Sequence, residues 1–323
     1  MELINNAIGN VAEGFCVVKS ADLRTTQKGK TYLDINLSDK GGDVNAKMWD
    51  YNMELHGTFA AGDIIKVRGT VDTWNNTKQL KIEKIRHAKD SDNIDASEFV
   101  SSSPISSIAL FDRIKATVSS FRNEELKKIV LYIIESLKDS LIICPAALKM
   151  HHAYRGGVVY HTASILSAAK GVCDAYPFID RELVYSGAIL HDVAKTIELE
   201  YDTNGTPTGY SVKGNLLGHI TLGVIEIENA AKKCGTSDEL KTKLQHMILS
   251  HHTVPEFGSP VAPMFMEAQV VAALDDLDAS LFQMANVLSQ TEKGAISQKV
   301  WGLERKLYNH SGVSEDFSID PKF

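Results

Sequence analysis

The chain lacks the features that mark several common classes of protein. Its four cysteines are scattered over 323 residues without a CxxC pair, which argues against a disulfide framework or a zinc knuckle. No apolar run approaches the length of a membrane-spanning helix, and the N-terminal residues lack a basic segment followed by an apolar one. These absences predict a cytoplasmic protein without a membrane anchor.

Signals for several kinds of catalysis are also missing. No GxGxxG follows a predicted strand, and neither a Ser-His-Asp set nor a reactive cysteine context indicates a covalent intermediate. The net charge of −7 argues against a generic binder of polyanions. Residues 1–89 nevertheless hold 13 Lys and Arg against 11 Asp and Glu, whereas the remainder is acidic. A contact with nucleic acid is therefore favoured in the N-terminal part.

Short alternating stretches, separated by Gly and Asn turns, fill the first 90 residues. Five such stretches predict a small closed β-barrel, and the phrase GDIIKVRG at 62–69 resembles a central strand of OB-fold domains. Such barrels usually bind single-stranded nucleic acid or oligosaccharide through exposed aromatic and basic side chains. The near-neutral charge of this segment predicts weak binding of single strands with little sequence preference. The alternative is that one or more of the aromatic residues fills the barrel or packs on the second domain. The candidate contacts are Trp49, Tyr51 and Trp74 for stacking, and Lys47, Arg68, Lys78 and Lys81 for phosphates.

The remainder of the chain has a different pattern. A polar, turn-rich linker is predicted over residues 91–106, and residues 107–323 show apolar residues at helical spacing. The predicted fold is therefore multidomain, with an all-β OB-type barrel over residues 1–90 followed by an all-α helical bundle.

The segment SGAILHDVAKTIE at 186–198 predicts a mostly buried helix that carries His191, Asp192 and Lys195. An imidazole and a carboxylate that meet beside a helix suit a divalent cation, and Lys195 is positioned to reach a substrate phosphate. A buried His-Asp pair is also a common structural feature, so this motif alone leaves both interpretations open.

Other residues of types that bind metal ions, His and Asp, recur about once in each predicted helix. Five consecutive predicted helices each bring His or Asp into an apolar pattern, and a bundle can direct one residue from each helix to a common centre. Mixed nitrogen and oxygen ligands favour Mn, Fe, Zn or Co over Ca, and a His-rich set suits Mg less well. The candidates are His161, His191 with Asp192, His219, His251 or His252, and Asp275 in competition with Asp276 and Asp278.

The order His161, His191-Asp192, Asp275 resembles the H…HD…D signature of HD-domain phosphohydrolases. The phrases HHAYRGGVVYHT at 151–162 and LDDLDA at 274–279, behind an OB-type barrel, resemble the YhaM family of bacterial 3′→5′ exoribonucleases. The resemblance covers about residues 10–285. It implies a metal-dependent phosphodiesterase in which an activated water releases nucleoside 5′-monophosphates from the 3′ end of single-stranded RNA, with single-stranded DNA as a further substrate.

The resemblance also implies residue roles. His161, His191, Asp192 and Asp275 should be the primary ligands, and His219 and His251 should complete a second site, for one or two ions. Manganese is favoured, with Fe, Co, Zn or Mg as alternatives. Lys195 should contact the scissile phosphate, and Asp192 should bridge two ions or orient the nucleophile. Arg155 and His152, just before the helix of His161, are candidates for holding substrate.

Two other functions fit the same residues. One is an HD-type nucleotidase or cyclic-nucleotide phosphodiesterase in which the barrel is accessory. The other is a non-catalytic single-strand-binding protein, against which the intact ligand set and Lys195 argue. The amphipathic tail after about residue 286 also predicts packing against a second copy of the chain.

Overall fold

The computed structural model describes residues 7–26, 29–39, 42–60, 62–74, 77–92, 103–148, 154–202, 205–314 and 321–323. The chain divides into two compact units, residues 1–102 with 201–208, and residues 103–200 with 209–323. Within the described ranges, no helix is both long and apolar enough to cross a membrane.

Five strands form a closed barrel in the first unit, in the order β1-β2-β3-β5-β4. All neighbouring strands are antiparallel except β3 and β5, which are parallel. The predicted OB-type barrel is therefore confirmed. The elements of this unit are β1 (Val11–Thr25), β2 (Thr31–Asp39), β3 (Gly42–Met48), α1 (Met53–His56), β4 (Ile64–Trp74) and β5 (Thr77–His87).

Alternation of apolar and polar residues explains the barrel. Ile35, Ala46, Ile65 and Leu80 are buried in its interior, and their immediate neighbours along each strand face outward. The backbones of β4 and β5 approach each other closely at Gly69, where a Cβ atom would lie 2.3 Å from the Lys81 carbonyl oxygen. Glycine at this position therefore lets β4 and β5 pair tightly.

The second unit is helical, as predicted. The helix over Glu124–Ser136 buries one apolar face, and Asn123 caps it by accepting hydrogen bonds from two backbone N–H groups. The elements are α2 (Ser107–Ser119), α3 (Glu124–Ser136), α4 (Lys138–Leu141), α5 (Gly157–Ala175), α6 (Arg181–Leu190), α7 (Lys195–Glu198), β6 (Leu199–Tyr201), β7 (Pro207–Tyr210), α8 (Val212–Cys234), α9 (Asp238–Ser250) and α10 (Met266–Leu288). The chain between α7 and α8 forms a two-stranded sheet of β6 and β7, whose residues 201–208 are counted with the first unit.

The structure corrects one helix prediction. Residues 186–198 do not form a single helix, since α6 ends at Leu190 and α7 begins at Lys195. Between them the backbone bonds run from residue i to residue i−3, from Val193 to Leu190 and from Lys195 to Asp192. This tighter turn brings residues three apart onto the same side, and it determines how the polar residues of the motif meet.

Candidate metal centre

A cluster of polar side chains lies inside the helical unit. His161, His191, Asp192 and His251 are at most 1% exposed, and Asp275 is 8% exposed. Buried polar groups at this density require strong compensation from one another or from a bound ion. With His219 on α8, five parts of the chain supply the cluster, namely α5, the α6–α7 turn, α8, the end of α9 and α10.

The α6–α7 turn contributes three residues. The His191 ring donates through Nδ1 to the Ala188 carbonyl oxygen at 2.8 Å, which fixes the ring against its own helix. Because the turn is tight, Lys195 Nζ reaches Asp192 Oδ2 at 2.7 Å, although both side chains are buried. The motif thus presents an imidazole, a carboxylate and an ammonium group at one place.

Helix α8 is kinked where it reaches the cluster. Gly218 has a φ of 67° and a ψ of 161° inside the helix, a conformation that glycine adopts without strain. At this kink, Glu198 Oε1 accepts hydrogen bonds from the His219 backbone N–H at 2.9 Å and from His219 Nδ1 at 3.0 Å. Glu198 therefore turns Nε2 of His219 towards the cluster.

Helices α5 and α10 meet through His161. Its Nδ1 lies 2.7 Å from Asp278 Oδ2, and its Nε2 lies 3.0 Å from Asp275 Oδ1. Ser164, one turn along α5, donates a hydrogen bond to the other oxygen of Asp278. Asp275 and Asp278 thus hold opposite sides of the ring, whereas Asp276 is exposed. Among the competing carboxylates, only Asp275 faces the centre of the cluster directly.

Both histidines at the end of α9 lie at the cluster. His251 donates through Nδ1 to the Ile248 carbonyl at 2.7 Å, and His252 Nε2 lies 3.9 Å from Asp275 Oδ2. The next residue, Thr253, has a φ of 66°, which is a strained conformation for a β-branched residue. Because the helix ends abruptly here, the adjacent side chains of His251 and His252 can both face the cluster.

Asp192 occupies the middle of the cluster. Its Oδ2 lies 3.3 Å from His191 Nε2 and 3.7 Å from His161 Nε2. Its Oδ1 lies 3.6 Å from His219 Nε2 and 4.0 Å from His251 Nε2. One carboxylate therefore separates two groups of ligand atoms that could each hold a metal ion, His161 with His191 and Asp192, and His219 with His251 and His252.

The tautomers of the imidazoles suit metal ligation. Nδ1 is held by a carboxylate in His161 and His219, and by a backbone carbonyl in His191 and His251. Since these oxygens only accept, Nδ1 carries hydrogen and Nε2 remains for a ligand. The Nε2 atoms of His161 and His191 are 3.3 Å apart, a separation that requires a positive charge on or between them.

Several inward atoms support the same interpretation. Among the residues that the structure describes, Asp192 Oδ1, His219 Nε2 and His251 Nε2 are buried and make no hydrogen bond. Orphaned buried acceptors of this kind are costly in a folded protein, and a divalent cation would satisfy all three. The residues present therefore fit a metal centre with mixed imidazole and carboxylate ligands.

The electrostatics of the cluster are strongly perturbed. Burial opposes protonation of His161, but its hydrogen bonds to Asp275 and Asp278 outweigh burial and raise its pKa to about 10. Burial would raise the pKa of Asp192, yet Lys195 and His191 hold it well below its usual range. Burial, reinforced by His252, lowers the pKa of His251 well below its usual range. The carboxylates of the cluster thus stay ionised, and they favour positive charge at the centre.

Two further predicted site residues precede α5 in the sequence. Arg155 lies two residues before α5, and its backbone carbonyl accepts a hydrogen bond from the Ser103 N–H. His152 lies outside the described residues. Conversely, Glu198 was not predicted. The one signal for it is a carboxylate three residues after Lys195 in an otherwise apolar stretch, where burial requires a partner.

The barrel carries its candidate contacts on different strands. The rings of Tyr32 and Trp49 are 4.7 Å apart, and Lys47 Nζ lies 5.8 Å from each ring centroid. Trp49 is 39% exposed, so these three residues form a surface platform. Arg68 lies elsewhere, on β4 next to Glu13. Tyr51 packs against the barrel core, and the Trp74 backbone pairs with Thr77 at the β4–β5 turn.

Comparison with protein families identifies both units. The model of the HD domain matches residues 158–280, a range that contains every member of the histidine-aspartate cluster. The model of the OB-fold nucleic acid binding domain matches residues 17–88, which form most of the barrel.

Comparison with individual proteins extends the similarity over nearly the whole chain. The 3′-5′ exoribonuclease YhaM of Listeria welshimeri serovar 6b is 36% identical over 308 residues, which are 95% of this chain and 97% of the relative. The proteins of the same name from Bacillus licheniformis and Bacillus subtilis strain 168 are 35% and 34% identical over 301 residues, which are 93% of this chain and 95% of each relative.

Proposed function

The chain belongs to the YhaM family of 3′-5′ exoribonucleases, and from this premise we propose how its own residues carry out the reaction. The protein is an exoribonuclease that removes nucleotides from the 3′ end of single-stranded RNA and releases nucleoside 5′-monophosphates. Hydrolysis depends on divalent metal bound by the histidine-aspartate cluster. Single-stranded DNA is a second substrate.

One observation carries this proposal. Imidazoles from α5, α8 and the ends of α6 and α9 direct Nε2 at the two oxygens of Asp192, with Nδ1 of each held by an acceptor. A structural hydrogen-bond network would pair these inward atoms, whereas three of them make no hydrogen bond among the described residues. Ligation by cations accounts for both features.

The two sides of Asp192 divide the ligands. On one side we assign His161, His191, Asp192 and Asp275, and on the other His219, His251 and His252, with Asp192 shared between them. The family resemblance favours manganese, with Fe, Co, Zn and Mg as alternatives, and mixed imidazole and carboxylate ligands are compatible with a transition-metal ion. When bound, divalent cations activate water for attack on phosphorus and neutralise charge on the phosphoryl oxygens.

Lys195 supplies a further positive charge beside the reacting group. Burial disfavours its charged form, but Asp192 outweighs burial and raises the pKa of the ammonium, so it stays protonated. An ammonium fixed 2.7 Å from the central carboxylate is suited to contact a non-bridging oxygen of the scissile phosphate and to stabilise negative charge that develops there. Arg155, just before α5, is assigned to substrate binding.

The barrel binds the RNA strand that is being shortened. The platform of Tyr32, Trp49 and Lys47 combines stacking surface with positive charge, which is the usual chemistry of single-strand binding. Tethering such a surface to a hydrolase raises the effective concentration of the 3′ end. Deletion of the barrel should therefore raise KM for long RNA and spare the hydrolysis of a small phosphodiester.

A ladder assay tests the function. Single-stranded RNA labelled at its 5′ end, incubated with chelator-treated protein and added Mn²⁺, should shorten one nucleotide at a time, and chromatography should recover nucleoside 5′-monophosphates. Without added metal the RNA should stay intact. Hydrolysis of mononucleotides or cyclic nucleotides in place of RNA would instead support the nucleotidase alternative. Endonucleolytic fragments would contradict both.

A further inference from the structure

A groove of about 480 Å³ crosses the side of the barrel that β1, β4 and β5 form. Its charged side chains point outward from the strands and are partly or fully exposed. Strand register places them and one aromatic ring in two neighbouring rows, Glu13–Arg68–Lys84 and Phe15–Lys66–Arg86. We call the surface of these six residues the cationic groove.

The cationic groove places like charges directly opposite each other. Lys66 faces Arg86, and Arg68 faces Lys84, across β4 and β5. The ring of Phe15 lies near both cations of its row, 5.3 Å from Lys66 Nζ and 6.0 Å from the Arg86 guanidinium carbon. Like charges that face each other destabilise a sheet. Two such pairs in succession are typical of a surface that is kept for binding.

Carboxylates neutralise the groove only in part. One oxygen of Glu13 lies 3.0 Å from Lys66 Nζ, and the other lies 3.8 Å from the Arg68 guanidinium. Asp92 accepts two hydrogen bonds from Arg86, at 2.7 and 2.8 Å. The pair of Lys66 and Arg86 is therefore compensated, whereas the second pair has only a share of Glu13.

A β-bulge brings Lys84 to the surface. Ile82 is buried in the barrel, so strict alternation would turn Lys84 inward as well. The pairing of β4 with β5 shifts next to Arg68, and Glu83 is the extra residue of β5. Glu83 and Lys84 are consequently both exposed. Bulges re-aim side chains at functional sites.

The two residues at the bulge differ in their partners. Glu83 accepts a hydrogen bond from Thr70 at 3.1 Å. Among the residues that the structure describes, the Lys84 ammonium makes neither an ion pair nor a hydrogen bond. The bulge thus adds an unpaired cation directly opposite Arg68.

The groove continues from the aromatic platform of the barrel. Lys47 of the platform faces Lys81 on β5. Lys84 lies three residues further along the same strand, which is roughly 10 Å, and Arg86 follows at about 7 Å. A line of positive charge therefore leads from the stacking surface along β5 into the cationic groove.

We propose that the cationic groove binds the phosphate backbone of the RNA strand that stacks on the platform, with one phosphate held jointly by Arg68 and Lys84. An anion between two facing cations removes their repulsion. The contact carries no sequence preference, because the phosphate is the same in every nucleotide. The inference rests on the proposed function, since it assumes that the barrel holds the strand.

Binding assays on the full chain test the proposal. An Asp192→Asn background prevents hydrolysis while the affinity for a long oligouridylate is measured at several salt concentrations. Lys84→Gln should weaken binding and reduce the slope of log affinity against log salt by about 0.7, and its combination with Arg68→Gln by about 1.4. Oligoadenylate should show the same changes. Glu13→Gln removes the competing carboxylate and should strengthen binding.

Thermal unfolding separates a binding role from a structural one. Because Arg68 and Lys84 repel each other, Lys84→Gln should leave the melting temperature unchanged or raise it, whereas loss of a structural contact would lower it. Lys232→Gln removes the same charge from a side chain that is 70% exposed on α8, and it should leave the slope unchanged.

Two results would contradict different parts of the argument. If the parent binds RNA and the double variant at Arg68 and Lys84 keeps its salt slope, the cationic groove is not a phosphate site and the proposed function stands. If the parent binds neither oligomer, the barrel does not hold the strand.

Discussion

The metal centre and the outer surface of the barrel hold their polar side chains by different means. In the centre, each of four imidazoles has its Nδ1 fixed by an acceptor, and the ring environment is almost fully buried. On the barrel, Trp49, Lys47 and Gln79 are aligned by strand register and remain partly or fully exposed. A buried network tolerates little change because unpaired groups are costly there, whereas exposed contacts contribute independently.

This contrast predicts that substitutions in the centre abolish metal binding and hydrolysis, whereas substitutions on the barrel surface weaken RNA binding by degrees. The largest effect is expected at Asp192, whose two oxygens face both groups of ligands. Asp192→Asn preserves its shape and removes its charge, so we expect loss of metal, measured by elemental analysis, together with loss of RNA hydrolysis. Circular dichroism should show a folded protein.

Asp276→Asn is the matched control for this substitution. Asp276 is exposed on α10 next to Asp275, so its replacement should leave metal content and hydrolysis at the parent's level. Retention of full activity by Asp192→Asn would refute the metal centre, and loss of activity in Asp276→Asn would mean that the carboxylate has been assigned incorrectly.

Metal uptake should depend steeply on pH. In the metal-free protein the pKa of His161 is raised to about 10, so this ring holds a proton at neutral pH that a cation must displace. Metal binding therefore releases at least one proton, and the apparent affinity for Mn²⁺ should rise about tenfold per pH unit between pH 6.5 and 8.5. Titration calorimetry at pH 7.5 in two buffers of different ionisation enthalpy counts the protons. A value of zero would contradict the role of His161.

The next effect concerns Glu198, which acts on the centre by orienting the ligand His219 and is not assigned as a ligand itself. Glu198 fixes His219 through both its ring and its backbone N–H, and residues that orient metal-ligating histidines typically contribute 10- to 100-fold to affinity or activity. Glu198→Ala should weaken metal binding by about this factor, and Glu198→Gln, which keeps an accepting oxygen, should restore most of it.

Cobalt absorption gives Glu198 a readout that general destabilisation would not produce. In the Co²⁺-substituted protein, Glu198→Ala should change the visible spectrum because one imidazole is no longer oriented, and Glu198→Gln should resemble the parent. Glu200→Ala, an exposed neighbour of the same residue type, should change neither spectrum nor affinity. An unchanged spectrum in Glu198→Ala would remove Glu198 from the centre.

The sequence predicted the parts of the site that local patterns encode. A histidine or aspartate in an apolar helix is visible because burial makes it costly, so every member of the cluster was among the candidates. The partners of those residues are not local. Glu198 meets His219 from 21 positions away, and the choice between Asp275 and Asp278 depends on which side of His161 each one reaches.

Local sequence patterns were limited in the same way in predicting the fold. Alternation predicted the five strands, because period-2 patterning depends only on neighbours in sequence. It did not predict that α6 ends at Leu190, since the apolar residues continue through the i to i−3 turn. Nor did it predict the line of hydrogen bonds that joins Ser20, Asn36, Asn45 and Gln79, which requires the register of four strands at once.

The smallest effect is expected at the aromatic platform of the barrel. Trp49→Ala removes one exposed stacking surface, which should raise KM for a long single-stranded RNA about fivefold, near the lower end of stacking contributions, with kcat unchanged because the metal centre is intact. A small phosphodiester that offers no base for stacking on Trp49 should be hydrolysed at the parent's rate. Phe178→Ala removes an aromatic ring that is 68% exposed on the helical unit and should alter neither constant. If Trp49→Ala instead abolished hydrolysis of both substrates, the barrel would take part in catalysis, and the distinction between an all-or-none centre and a graded surface would be wrong.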